Sequence, residues 1–204
     1  MIRLARRGVL IGALAAPWVA KAADPDASAP IAALNAGLIA AMRSGKATPF
    51  PQRYAALLPV VDRAFDLGAV LQAVVGPRWA GLPIAQQVQL LEVFRKYTVT
   101  TYVANFDGFG GERLDVLPDS RSIGADQVVA TQIAPASGAP TRIDYVMRRT
   151  ALGWRAVDVY LNGTISQVAV QRSDFRSLLG TGDAGPLIAS LQRKIADLSR
   201  GTLS

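Results

Sequence analysis

The spacing of apolar residues changes twice along this chain of 204 residues, from a helical period in the first half to alternation after it and back to a helical period near the C-terminus. Phe94, Thr98 and Tyr102 recur at four-residue intervals, as residues on one face of a helix do. Leu114 and Val116 alternate with charged residues, which is the period of a strand with one buried face. Because the two kinds of segment are segregated, the sequence predicts an α+β fold.

Apolar spacing and end signals predict six helices. They span 31–43, 51 to at least 61, 67–75, 83–105, 164–179 and 186–198. Pro59 is expected to kink or divide the second helix, because proline lacks a backbone N–H. Asp66 is the predicted N-cap of the third helix, and Thr164 with Gln167 has the form of a capping box for the fifth.

Four strands are predicted in the second half of the chain. They span 113–116, 127–133, 142–149 and 154–161, and clusters rich in glycine or proline separate them. Short links between neighbouring strands favour antiparallel pairing. The expected architecture is therefore a four-stranded antiparallel meander packed against N-terminal and C-terminal helices.

The N-terminus has the features of an export signal. Three arginines precede the uncharged run 8–20, which is shorter than the roughly 20 apolar residues of a membrane span. Ala20-Lys21-Ala22 has the small-x-small pattern of a cleavage site, so residues 1–22 are predicted to be removed. Arg6-Arg7 fits both the Sec route and the twin-arginine route, and an uncleaved anchor is the alternative.

Beyond the signal, we expect a flexible leader over 23–30 and a single domain over 31–204. Removal of the signal takes away four basic residues and leaves 18 basic against 15 acidic residues, a net charge of +3 instead of +7. This near balance gives little support to nucleic-acid binding. A mildly basic protein can still approach an anionic membrane surface.

The chain contains no histidine and no cysteine. That composition excludes Ser-His-Asp and Cys-His hydrolases, structural zinc fingers and thiol redox chemistry. No spacing of the remaining residues fixes an acid–base pair, so the sequence predicts no catalytic residue, no metal and no organic cofactor. An isomerase-like enzyme acting on a hydrophobic polycycle is an alternative. Its candidate groups are Asp144, Asp158, Tyr97, Tyr102 and Tyr145.

Several short motifs follow one another in order between residues 65 and 175. They are Phe65-Asp66, Gly76-Pro77-Arg78-Trp79, Phe94-Arg95, Ile143-Asp144-Tyr145, Met147-Arg148, Gly153 to Val159, Gly163 and Arg172-Ser173-Asp174-Phe175. In this order they resemble the MlaC family, also called toluene-tolerance proteins, which are periplasmic lipid-binding components of envelope lipid transport. Further stretches resemble its hopanoid-associated HpnM subgroup: 53–57, 102–107, 135–141, 163–166 and 168–175.

The resemblance implies a lipid carrier that moves a hopanoid or a phospholipid between the inner and outer membranes. It also implies an inner-membrane transporter of the ABC or RND type as partner, transient membrane contact and no cofactor. Such a carrier needs a dry cavity, because each methylene removed from water contributes roughly 0.8 kcal/mol. A non-carrier envelope adaptor with a solid core is a further alternative.

Residues of the meander and of the helices beside it are the candidates for lining this cavity, and packing in an ordinary core is the alternative role of each. They are Trp79, Phe94, Tyr97, Tyr102, Val129, Ile133, Ile143, Tyr145, Met147, Val157, Val159, Leu161, Ile165 and Val168.

Two sets of charged residues in the second half of the chain suggest separate roles. Asp158 lies between two valines of a strand and Arg172 lies in an apolar helix stripe, so we expect a structural ion pair between sheet and helix. An outward-facing Asp158 and a snorkelling Arg172 form the alternative. Basic residues of strands three and four either contact anionic headgroups or an acidic partner, or form a solvated sheet face. They are Arg142, Arg148, Arg149 and Arg155.

Overall fold

The computed structural model describes residues 25–203. The predicted export signal, 1–22, lies outside these residues. Six α-helices are present in the described chain: α1 Pro25–Ser44, α2 Phe50–Ala64, α3 Leu67–Val75, α4 Ile84–Asn105, α5 Gln167–Phe175 and α6 Gly185–Ser199. Short 3₁₀ helices follow α3 and α5, at Gly76–Gly81 and Arg176–Leu178. The helices and an antiparallel sheet form an α+β fold.

The sheet contains β1 Arg113–Ile123, β2 Asp126–Ala134, β3 Thr141–Thr150, β4 Gly153–Leu161 and β5 Ile165–Ser166. Its strand order is β1-β2-β3-β4-β5, and each strand pairs antiparallel with its neighbour. The sheet therefore has a short fifth strand beyond the predicted four. Asn162 and Gly163 both adopt positive φ, at 52° and 71°, and so form the tight turn that returns the chain alongside β4.

Helix α1 begins at Pro25, within the segment 23–30 that was expected to be a flexible leader. Ala27 and Ile31 are both fully buried, so the first turns of the helix belong to the core. Proline is tolerated in a first helical turn, where its missing N–H has no helical acceptor in any case. The leader interpretation is therefore wrong from Pro25 onward. Although the residues of this segment are mostly small or polar, Ala27 and Ile31 are buried on one face of the helix.

Other helix boundaries follow the predicted end signals closely. The Asp66 carboxylate accepts a hydrogen bond from the Ala69 N–H at 2.9 Å and caps α3 as expected. Pro59 lies inside α2 without dividing it. The fifth helix is capped by Ser166, whose hydroxyl accepts from the Ala169 N–H, and not by Thr164, because the turn after β4 delays the helix by two residues.

Two irregularities in the sheet set which side chains face the helices. In β1, the register shifts between Val116 and Ser120, where Pro118 lies. Proline has no N–H to donate to a sheet, so an edge strand with a bulge accommodates it. In β4, Asp158 pairs with Val146 but Ala156 pairs with Met147, so one residue is inserted between them. This bulge reverses the alternation within β4.

The main core lies between the helices and the inner face of the sheet. Helix α4 packs against α6 and α2, α1 packs against α2 and β1, and α3 packs against α5. The largest fully buried side chains include Leu38, Leu71, Leu90, Phe94 and Leu187. This packing leaves one part of the inner sheet face, beside α4, without direct helix contact.

Candidate functional site

A cavity of about 570 Å³ lies between α4, the inner face of the sheet and α5. Its volume falls within the roughly 300–1,000 Å³ usual for small-molecule sites. Most of its walls are aliphatic or aromatic, and among the described residues that line it there is no lysine and no arginine. The apolar lining consists of Met42, Phe65, Leu67, Val70, Phe94, Tyr97, Tyr102, Phe106, Ile133, Ile143, Tyr145, Val159, Leu161 and Val168.

Helix α4 provides one wall, because its lining residues recur every three or four positions along one face. Between the aromatic residues of this face lie Thr98 and Thr101. The hydroxyl of Thr98 donates to the Phe94 carbonyl and that of Thr101 to the Tyr97 carbonyl, both at 2.9 Å. Since these hydroxyls are used within the helix, the two threonines add little free polarity to the cavity.

Strands β3 and β4 provide the opposite wall. Ile143 pairs with Leu161 and Tyr145 pairs with Val159, so these four side chains share one face of the sheet. The bulge in β4 is the cause of this alignment. Without it, Val159 and Leu161 would point away from Trp154 and the inner face.

The hydroxyls of Tyr102, on α4, and Tyr145, on β3, are polar groups on facing walls of the cavity. The two hydroxyls interact electrostatically, and Phe65 lies against both rings, at 5.9 Å from Tyr102 and 6.1 Å from Tyr145 between centroids. Burial raises the pKa of Tyr145 to about 12 and raises the pKa of Tyr102 well above its ordinary value. Both hydroxyls are therefore neutral at physiological pH.

A glycine-rich loop after α4 forms the rim of the cavity. Gly108 and Glu112 line it, and the Gly110 N–H donates to the Glu112 carboxylate at 2.6 Å. Lys46 pairs with Asp107 at 3.2 Å and ties this loop to the end of α1. Phe109 is 41 % exposed, with the guanidinium of Arg43 5.0 Å from its ring centroid. The rim thus combines an exposed aromatic ring with two basic residues.

Asp158 fixes the start of α5 beside the cavity. Its carboxylate accepts hydrogen bonds from the Val159 N–H at 2.7 Å, the Val168 N–H at 3.1 Å and the Ser166 hydroxyl at 2.6 Å. Arg172 instead donates to the Ala73 carbonyl of α3 at 3.0 Å. The predicted ion pair between Asp158 and Arg172 is therefore wrong. A carboxylate at a helix N-terminus is satisfied by backbone N–H groups and needs no cation.

Nine of the predicted lining residues border the cavity. They are Phe94, Tyr97, Tyr102, Ile133, Ile143, Tyr145, Val159, Leu161 and Val168. Their role in binding stays a prediction.

The other five predicted lining residues lie elsewhere. Val129 and Met147 are buried in the packed core, and Trp79 is a half-buried residue of the 3₁₀ helix that packs on that core. Ile165 is 49 % exposed on β5. Val157 follows the bulge to the other face, where it borders a second cavity of about 220 Å³.

Sequence analysis missed the lining residues outside the meander and α4. Phe65 lies in the link between α2 and α3, Val70 lies on α3, and Gln167 and Gln171 lie on α5. Phe65 carried a signal, since its motif was part of the family resemblance. The others have ordinary helix positions, and only the packing of α3 against α5 brings them to the cavity.

The arginines of β3 and β4 are engaged by protein groups. Arg142 pairs with Asp144 at 2.8 Å, and Arg148 pairs with Asp126 at 2.7 Å. Arg155 donates to the Asp62 carbonyl at 2.9 Å. These contacts favour a structural role for this hairpin over the hypothesis of headgroup binding.

Within residues 25–203, no helix is both long and apolar enough to cross a membrane. The same part of the chain contains no cluster of carboxylates that could hold a metal ion.

Comparison with known proteins agrees with this architecture. Residues 33–193 match the family described as MlaC protein. The chain belongs to the MlaC family. Among solved structures, this MlaC-family chain is similar to a phospholipid-binding protein from Ralstonia solanacearum in complex with a phospholipid. The TM-score is 0.73 at 18 % identity, over 85 % of this chain and 99 % of the other, so the two share a fold. No curated protein matches the chain significantly.

Proposed function

We propose that this MlaC-family protein is a lipid carrier that sequesters the hydrocarbon part of one lipid in the cavity between α4 and the sheet. The observation that carries the proposal is a cavity of about 570 Å³ with mostly apolar walls and, among its described lining residues, no basic side chain. An apolar ligand that enters such a cavity releases water from its walls, which favours binding of hydrocarbon.

Burial of hydrocarbon is sufficient to hold such a ligand. At roughly 0.8 kcal/mol per methylene, ten sequestered methylenes contribute about 8 kcal/mol before the entropy of association is subtracted. The phosphate of a headgroup has no basic counter-charge among the described lining residues. The acyl or polycyclic part is therefore the portion that the cavity receives, and the headgroup stays at the rim.

Two ligands fit the proposal. A phospholipid is supported by the phospholipid bound in the Ralstonia structure, which has the same fold. A hopanoid is supported by the resemblance of several sequence stretches to the HpnM subgroup. Both are apolar enough for the lining, so the identity of the bound lipid has to be measured.

The predicted export signal supports a periplasmic location, reached by the Sec or the twin-arginine route, and transfer between the inner and outer membranes. Delivery requires transient contact with a bilayer and with an inner-membrane transporter of the ABC or RND type. The rim supports the first contact, because exposed Phe109 and the neighbouring Arg43 suit the interface of an anionic membrane.

The test is native export, gentle purification and mass spectrometry of extracted lipid. Near-stoichiometric phospholipid or hopanoid is expected, and its class identifies the cargo. The substitution Val159→Trp fills the cavity and should abolish copurification. The matched control Val170→Trp places the same side chain on an exposed position of α5 and should leave it unchanged. An empty wild-type protein that also takes up neither lipid from vesicles would favour an envelope adaptor.

A further inference from the structure

The hydroxyls of Tyr102 and Tyr145 are the unusual feature of an otherwise hydrocarbon wall. Tyr145 is only 4 % exposed, and both residues line the cavity. Two phenol hydroxyls carry two protons and four acceptor sites. The interaction between the two hydroxyls uses at most one of these protons. Within the described residues, no other hydrogen bond involving either hydroxyl is present, so one donor and further lone pairs remain for a partner in the cavity.

A hydroxyl on such a wall loses its hydrogen bonds to water when an apolar ligand displaces that water, and the loss is unfavourable unless a ligand atom replaces them. A phenylalanine at either position would supply the same ring contacts with Phe65 without this penalty. The pair is therefore better explained by a ligand atom than by packing.

The surroundings define the chemistry of that atom. The lining contains no described lysine or arginine, but two carboxylates, of Glu112 and Asp158, lie on it. A phosphate or a free carboxylate next to the pair would lack a counter-ion and would face like charges. A neutral oxygen can accept the spare proton without either penalty.

We propose that Tyr102 and Tyr145 form a hydrogen-bonding subsite, within the lipid cavity, for one neutral oxygen of the ligand. Two sources supply this chemistry: the ester carbonyl of an acyl lipid and the alcohol of a polycyclic lipid. This inference rests on the proposed lipid-carrier function and adds a rule of selectivity to it. Apolar area sets how tightly a lipid binds, and the tyrosine pair favours an oxygenated lipid over its deoxygenated analogue.

The experiment is displacement of a fluorescent fatty-acyl probe from delipidated protein by two matched pairs of competitors. One pair is a diester phosphatidylethanolamine and its diether analogue of equal chain length. The other is a pentacyclic triterpene alcohol and the parent hydrocarbon, both delivered from cyclodextrin. We expect wild-type protein to prefer the oxygenated member of one pair by about two- to tenfold, the effect of one net hydrogen bond. Which pair shows the preference identifies the source of the oxygen.

Tyr145→Phe and Tyr102→Phe should each reduce this preference while keeping the ring. Tyr160→Phe is the matched control, since Tyr160 borders the second cavity and not the first. Equal wild-type affinity within both pairs, or a preference that survives both substitutions, overturns the subsite while leaving the carrier function in place. Failure of wild-type protein to bind the probe and all four lipids overturns the carrier function and the subsite together. The wild-type comparison needs no variant and holds even if a variant misfolds.

Discussion

Replacement of Asp158 by alanine tests how the wall formed by α5 is attached to the sheet. The change removes an acceptor of three hydrogen bonds, from the N–H groups of Val159 and Val168 and from the Ser166 hydroxyl. The Val168 N–H lies in the first turn of α5, where no helical acceptor is available. The Ser166 hydroxyl also caps this turn, so its own orientation depends on the carboxylate.

The expected loss follows from these contacts. A hydrogen bond to a charged group contributes roughly 1.5–3 kcal/mol when buried, and loss of a helix cap costs about 1 kcal/mol. Asp158 is only partly buried, so water replaces some of the lost contacts. We expect unfolding free energy to fall by about 3 kcal/mol. For a domain of this size that corresponds to a melting temperature lower by about 6–12 °C. Asp158→Asn keeps one acceptor oxygen and should lose about half as much.

Urea denaturation of Asp158→Ala, Arg172→Ala and the double variant measures both the loss and its origin. Because Arg172 binds the Ala73 carbonyl and shares no partner with Asp158, the two changes should add within about 0.5 kcal/mol. A coupling energy above about 1 kcal/mol would show that Asp158 and Arg172 form an ion pair after all, and it would refute the capping interpretation. A loss below 1 kcal/mol in Asp158→Ala would show that water or the hydroxyl of Ser166 satisfies these N–H groups.

Three further results are expected. Burial raises the pKa of Tyr145 from 10.0 to about 12, so the unfolded chain deprotonates first. Stability should not change with pH below 10 on this account and should fall by about 3 kcal/mol between pH 10 and 12, a fall that Tyr145→Phe reduces in alkaline denaturation series. Extraction of bound lipid should lower the melting temperature by about 5–10 °C in calorimetry, since a ligand at one hundred times its Kd stabilises by about 2.7 kcal/mol, and re-addition should restore it. Gly37→Ala should destabilise in spite of better helix propensity, because its Cβ would lie 2.8 Å from a methyl of Val60, and Val60→Ala should rescue it in chemical denaturation.

The strands and helices were predictable wherever a local signal decides the structure. Asp66 and Pro83 mark helix starts, and the apolar residues of β2 and β3 mark strands in which four consecutive residues are buried. The two sheet bulges were not predictable in the same way. The residues near Val157 contain no local signal for an inserted residue, because the bulge depends on how β4 pairs with β3. Because one inserted residue reverses alternation, Val157 was assigned to the wrong face while Val159 was not.

The fifth strand differs from the bulges, because the sequence does contain a local signal for the turn that precedes it. Asn162-Gly163 is a strong hairpin signal, since both residues tolerate positive φ. The capping-box pattern of Thr164 and Gln167 instead predicts a helix that starts at Thr164. Recognition of the turn moves the cap to Ser166 and explains why Ile165 is exposed on a short edge strand.

A carrier must keep a cavity open when no lipid fills it. Different side chains of α4 pack against the other helices and line the cavity, and this separation accounts for the open cavity. Leu90, Val99 and Val103 are fully buried, on a helix that packs against α6 and α2. Tyr97 and Thr101 lie on the face that borders the cavity. The helix is thus held by side chains that do not line the cavity, and collapse would require that packed interface to break. Changes to the lining should therefore alter lipid binding more than folding, whereas Val99→Ala should lower stability by about 1–2 kcal/mol.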